Sequence, residues 1–353
     1  MSNQTLNREL IAGPLFGLVK RLLPYLIAVL FAFIAAGIFI VAMGFNVLQA
    51  YQTIFTTSFR TTHGFAQTLV KFVPLLLQAL AFTLPLAAGK FNIGGEGQML
   101  VGGIGATATG ILLADLPPWL LLPIVLSAGV VCGALWGLIP GWLLYRFNIS
   151  EILTTVLLNF VSFGLVDYIA TKVWQDATAG HPTTLPIGAG GYLPLLIKEP
   201  PLHSGIILAL LVAVGVYIYI NRTTAGYDLV ATGANPRAAK VFGINVRVLF
   251  ILSLVVAGGI AGLSGSIEVA GFHHRLIEGM QSNFLVLGLI IGLISKGNIV
   301  AVPFVAMFIS ILEVGAGTLQ RTMMIPVQMV LIIEALVLIF ILLSDVIVGF
   351  RRR

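Results

Sequence analysis

Ten stretches of this chain, most of them near twenty residues long and almost without charge, leave it little choice of solvent. They fall at about 22–43, 65–89, 93–114, 118–145, 151–172, 204–221, 247–270, 282–296, 298–318 and 325–348. A helix of about 20 apolar residues spans the hydrocarbon of a bilayer. Barrel strands alternate in polarity over about ten residues, and these runs do not, so helices are the spanning structure to expect. The 353 residues are 58% apolar and 9% charged, whereas soluble domains carry roughly 25% charged residues. The expectation is an all-α integral membrane protein of about ten transmembrane helices, a single transmembrane bundle over 1–353. It has a tail at 1–21, an outer loop at 173–203 and an inner segment at 221–246.

Lys and Arg set the orientation. With the N-terminus cytoplasmic, thirteen of the nineteen fall on the inner side, including Lys90, Arg146, Arg237, Lys240 and Arg247; six fall outside. Both termini are then cytoplasmic, and the net charge of +6 needs no nucleic acid to explain it. The run after Lys20 and Arg21 is too long for a signal peptide and reads as a retained anchor. Cys132 is the one cysteine, so no intrachain disulfide exists.

The inner loop holds "GYDLVATGANPRAAKVFGI". Asn235 as cap and Pro236 at the first helical position start a short helix, and Gly243 closes it. Gly226 and Gly233 punctuate the stretch before it. Ala238 and Ala239 are small enough to let another surface approach, while Arg237 and Lys240 share one edge. Such a rigid helix suits docking to a cytoplasmic motor. It equally suits an interfacial helix whose cations meet lipid phosphates.

A second polar concentration, "KFNIGGEGQMLVGGIGATATG", opens the third apolar run. Its glycines, with Ala106, make a small-residue face for close helix packing. Asn92, Glu96 and Gln98 need their own account. Glu96 either caps the helix, aided by the dipole, or pairs with Lys90; or the helix starts inside the bilayer and its polar end lines a passage. Thr155 and Asn159 on the fifth run also line a passage or bond across helices. Glu334 lies deep in the last run. "RLIEGMQSNFLVLGLIIGL" echoes the Glu-Gly and Gln of the first motif from the outer side. That would suit an inverted repeat of helices 2–5 and 7–10, with the two motifs as opposed helix starts. His273 and His274 lack further metal ligands at a sensible spacing and read as a solvated loop.

"FNIGGEGQ", "SEILTTVLLNF" and the glycine spacing of the inner loop resemble the permease subunits of binding-protein-dependent ABC importers, in the branch for simple sugars and nucleosides. The resemblance covers about residues 60 to 345. It implies that Gly226 to Gly243 (Gly226, Gly233, Asn235, Pro236, Arg237, Ala238, Ala239, Lys240 and Gly243) seats in an ATP-binding subunit. It also implies a second permease subunit, a related chain or a copy, an extracytoplasmic solute-binding protein, and a place in the bacterial inner membrane. Asn92, Glu96, Gln98, Thr155, Asn159 and Glu334 are the candidates for the translocation passage. No phosphate-binding loop occurs, since "GLISKGN" does not fit one, nor does a catalytic triad. The chain is expected to be no enzyme and to hold no cofactor of its own, with ATP and magnesium on the partner ATPase. The rivals are an ion-coupled secondary transporter, with Glu96 or Glu334 carrying protons, and a lipid-modifying membrane enzyme built on His273 and His274.

Overall fold

The computed structural model describes residues 27–326 and 328–350, the last stretch partly by its backbone alone. The tail at 1–21 and the side chain of Glu334 lie outside the described residues. Helices α1 (Ile27–Ala42), α2 (Val47–Arg60), α3 (Thr62–Ala87), α4 (Gly95–Leu112), α5 (Pro118–Phe147), α6 (Glu151–Tyr168) and α7 (Gly205–Arg222) make the first part of the chain. Then follow α8 (Thr224–Ala234), α9 (Pro236–Val241), α10 (Val246–Ile267), α11 (Phe284–Ile294), α12 (Val302–Met323) and α13 (Gln328–Phe350).

Over its described residues each of the ten apolar runs is mainly helical. Among the described residues six helices are long and apolar enough to cross a membrane: α3, α5, α6 with its extension to Val173, α7, α10 with its extension to His273, and α12. The helix α11 has only 11 residues, about 16 Å at 1.5 Å per residue, which is near half the hydrocarbon thickness. The extensions of α6 and α10 are π-turns, Ile169–Val173 and Glu268–His273.

The chain divides into two compact units. One comprises residues up to Thr56 together with Gly315 onward. Within it α1 buries Ala28, Ala32, Ala36 and Ile40, a strict four-residue spacing on one face. The Tyr51 hydroxyl donates to the Phe33 carbonyl, and the two rings meet edge to face at 5.2 Å.

The other unit runs from Thr57 to Val314. Its centre is α10, held between α4 and α5 by glycine. A Cβ placed on Gly262 would lie 2.2 Å from the Gly129 carbonyl oxygen, and one on Gly133 would lie 2.3 Å from that of Gly258. On α4, a Cβ at Gly102 would lie 2.4 Å from the Gly262 Cα. Lipid gives helices no hydrophobic reason to associate, so backbone-to-backbone approach of this kind supplies the packing.

The outer loop is ordered rather than merely long. It contains a two-stranded antiparallel pair, β1 (Leu195–Ile197) with β2 (Leu202–His203), a small departure from an all-α fold. Its backbone is tied to the residues after α10. Leu193 N donates to the Ala270 carbonyl at 2.9 Å, Ile187 N to that of His274 at 2.9 Å, and Thr184 N to that of Leu276 at 3.0 Å. Arg275 meets Asp176 at 3.0 Å.

Candidate functional site

The start of α4 does not lie at the end of α3. Asn92 Nδ2 donates to the Ala81 carbonyl at 3.3 Å, and Gln78 Nε2 donates to that of Gly95 at 3.3 Å. Gln78 stands nine residues before the last residue of α3, or about 14 Å along the helix. Residues 88–94 therefore double back along α3 as irregular backbone, and α4 begins at depth. Non-helical backbone at such depth requires every polar group to be satisfied by protein.

The polar residues of "FNIGGEGQ" do this. Pro85 has no N–H, so the carbonyl four residues earlier, Ala81, loses its helical donor; Asn92 replaces it. The Asn92 and Gln98 amides pair reciprocally, at 2.8 and 3.0 Å. Asn92 Oδ1 also accepts from Gly94 N at 3.2 Å. From α6, Asn159 donates to the Ile93 carbonyl at 2.8 Å and accepts from Gly97 N at 2.9 Å. Thr155 Oγ1 donates back to the Glu151 carbonyl of its own helix at 2.7 Å. The glycines give the room. A Cβ on Gly95 would sit 2.3 Å from Gln78 Oε1, and one on Gly97 2.7 Å from Asn159 Oδ1.

Glu96 does not pair with Lys90. Lys90 reaches instead to Glu151 at the start of α6, 3.4 Å away, and lies 4.6 Å over the Phe250 ring. Glu96 lies near the backbone N–H of Leu285, the second residue of α11. An anion there meets the positive end of a helix dipole. The starts of α4 and α11 lie side by side, a Cβ on Gly95 falling 3.4 Å from Leu285 Cδ1. Beside them lies a cavity of about 240 Å³, bordered by Leu100 and Phe163 on one side and Glu278 and Gln281 on the other. Gln281 Oε1 is buried there without a hydrogen-bond partner in the protein. Gln78 and Leu285 were not singled out from sequence, whereas Gln281 is the Gln of the echoing motif. The side chain of Glu334, the remaining candidate, lies outside the described residues.

The inner segment is two helices, not one. Thr223 caps α8 by accepting from Gly226 N at 3.0 Å. Gly226 must lack a side chain, since a Cβ would lie 1.9 Å from the Tyr219 carbonyl oxygen. A Cβ on Gly233 would lie 2.2 Å from that of Ala87, so α8 rests directly on the end of α3. Asn235 Oδ1 then accepts from Arg237 N and Ala238 N, both at 3.1 Å, and Pro236 opens α9. Gly243, at φ +83°, ends the turn as expected. The alanine face does not stand open as the sequence suggested. Ala239 is 4% exposed and packs inward. The side chains offered to solvent are Val241 and Phe242, each 85% exposed, and Tyr227 on α8 at 72%.

On the outer side His274 stacks on Tyr192 with ring centroids 3.9 Å apart, and His273 lies 3.6 Å from Glu268. Neither is the freely solvated residue expected. No group of three or more potential metal ligands occurs among the described residues.

Residues 64–342 match the family model described as branched-chain amino acid transport system / permease component. The guanosine ABC transporter permease protein NupP of Bacillus subtilis is 31% identical over 331 residues, 92% of this chain and 94% of the relative. The glucose ABC transporter permease protein TsgB13 of Haloferax volcanii is 30% identical over 329 residues, 90% and 86% of the two chains. The nucleoside ABC transporter permease protein NupB of Lactococcus lactis is 29% identical over 337 residues, 93% and 92%. No solved structure matches. Apolar helices of spanning length, a helix start buried at depth and a match over most of its length make this chain a multi-pass membrane protein of the branched-chain amino acid transport system / permease component family.

Proposed function

We propose that the chain is the membrane-spanning subunit of an ABC importer that moves a nucleoside or a simple sugar, driven by a separate ATP-binding subunit. The observation that carries this is the α8–α9 pair. It is rigidly capped, seated by glycine on the end of α3, and turns Val241, Phe242 and Tyr227 outward where the chain itself gives them nothing to cover. Aromatic and aliphatic side chains held on a short stiff helix are what a partner's groove can grip. The relatives' names support the substrate class, since those proteins are named for guanosine, nucleosides and glucose.

Ten crossings, arranged as inverted repeats of helices 2–5 and 7–10, complete the reading, with both termini cytoplasmic in an inner membrane. Its support is the meeting of the α4 and α11 starts. The passage runs beside Glu96 at that meeting point and through the cavity bordered by Phe163 and Gln281. A ring face there can stack on a flat base or a sugar, and the unpaired amide oxygen can accept from a hydroxyl. Asn92, Gln98, Thr155 and Asn159 frame this passage by holding its irregular backbone. A second permease chain closes the passage, and an extracytoplasmic binding protein delivers the solute to the ordered outer loop.

The test is uptake of labelled guanosine and ribose by proteoliposomes holding the chain with its partner permease, binding protein and ATPase. Accumulation that depends on ATP, together with a disulfide crosslink from Phe242→Cys to the ATPase, is the expected result. Accumulation without any ATPase, driven by an ion gradient, would overturn the proposal in favour of a secondary transporter.

A further inference from the structure

A second, larger cavity of about 1070 Å³ opens between the end of α5, the start of α10 and the face of α9 that turns away from Phe242. Five cations border it: Lys90, Arg146, Arg237, Lys240 and Arg247; no Asp or Glu does. Lys90 is already paired with Glu151. Arg146 and Arg247 lie over the Phe147 and Tyr145 rings, at 5.6 and 5.9 Å. Among the described residues no carboxylate forms an ion pair with Arg146, Arg237, Lys240 or Arg247. Like charges brought to one concave surface repel unless an anion joins them.

The lining is not only charged. Leu144 and Phe250 give it an apolar wall where α5 and α10 meet, and Asn245 and Val246 bring in the first turn of α10, whose dipole also favours an anion. An apolar wall beneath a ring of cations at the ends of two spanning helices fits an amphiphile, not a free ion. Val241 and Phe242 do not border the cavity, so its occupant does not compete for the face offered to the ATPase.

We propose that this cavity binds the phosphate headgroup of an anionic phospholipid, with its acyl chains along α5 and α10. Basic pockets between helices on the cytoplasmic side are known to take such headgroups. The lipid would brace α9 from behind, holding the angle at which Val241 and Phe242 are presented. Only the choice of the inner leaflet rests on the orientation proposed above.

The full-length chain in detergent is titrated with phosphatidylglycerol and with phosphatidylcholine of the same acyl chains, and retained lipid is counted by native mass spectrometry. We expect phosphatidylglycerol to be retained about tenfold or more over phosphatidylcholine. That preference should fall as salt rises, disappear in R146Q/R247Q and survive in R146K/R247K. Should the glutamine variant not fold, the salt series on the natural chain decides by itself. Equal retention of the two lipids, or a preference untouched by salt, overturns the proposal. Complete displacement by millimolar inorganic phosphate also overturns it, making the ligand a soluble anion. Transport is not the readout, so a failure of uptake bears on the importer reading and leaves this result standing.

Discussion

Residues 90–98 run back along α3 from its end, residues 223–244 pack on that end through Gly233, and the two use their side chains in opposite ways. The first segment is polar by composition and turns nearly all of that polarity inward. Asn92, Gln98 and Asn159 are bonded to backbone or to one another, so little is left to hold a solute. The second is mixed in composition and turns its apolar side chains outward, with Val241 and Phe242 more exposed than most residues of a soluble surface would be. A motif that looks functional because it is polar can be scaffolding. A loop that looks ordinary can present the exposed apolar side chains that a partner would grip.

The contrast can be broken most sharply at the outward face. Replacing Val241 and Phe242 together by aspartate should reduce ATP-driven uptake to background. The unfolding midpoint of the purified chain should stay within about 2 °C, since neither side chain packs on the chain itself. Loss of folding instead would mean that the pair belongs to the core. At the inward face the order of effects reverses. Asn159→Leu strands the Gly97 N–H and the Ile93 carbonyl in a dry setting, at about 1–3 kcal/mol each. A loss of about 2–4 kcal/mol in denaturant unfolding is expected, and an unchanged midpoint would argue that water replaces the amide.

A third measurement uses the outer side as a reference. His203 is buried beside the start of α7 and accepts from Gly205 N at 3.2 Å. Burial, with the His274 ring second, holds its pKa down to about 4 from an ordinary 6.5. The unfolded chain therefore binds the proton first. Stability is whole above about pH 6.5 and declines as pH falls toward about 4, by at most about 2 kcal/mol at pH 5. His203→Asn should flatten that slope without touching uptake at pH 7. The smallest effect belongs to Thr155→Val, because the hydroxyl only bonds back within α6. A change under about 1 kcal/mol and normal uptake are expected. A large transport defect would instead put Thr155 on the solute's route.

Local features were legible in the sequence and distant pairings were not. The cap at Asn235, the proline at the first position of α9 and the closing Gly243 all depend on neighbours within a few residues, and each is where its chemistry places it. The small-residue face of α4 is legible for the same reason, since Gly102 and Gly110 mark an approach whatever arrives there. By contrast "TAGYDLVATGA" reads as a broken loop because glycine disfavours helix. It is helical because Gly226 and Gly233 stand where another backbone presses on it. Lys90 had Glu96 six residues away as a plausible partner, and chose Glu151, sixty-one residues away. Glu96 lies near the first turn of α11, which no residue type announces. Gln78, one amide in an apolar run, gave no sign that it would support Gly95.

The abutment of Gly233 on Ala87 and Gly89 leaves no side chain between α8 and the turn that leads into residues 88–94. A joint without such a cushion has no slack. Any tilt imposed on α8 must be taken up by that turn within tenths of an ångström, and the strand beyond it ends at the mouth where α4 and α11 face each other. Only seven residues, 88–94, thus separate the helix pair proposed to meet the ATPase from the start of α4, where the passage is proposed.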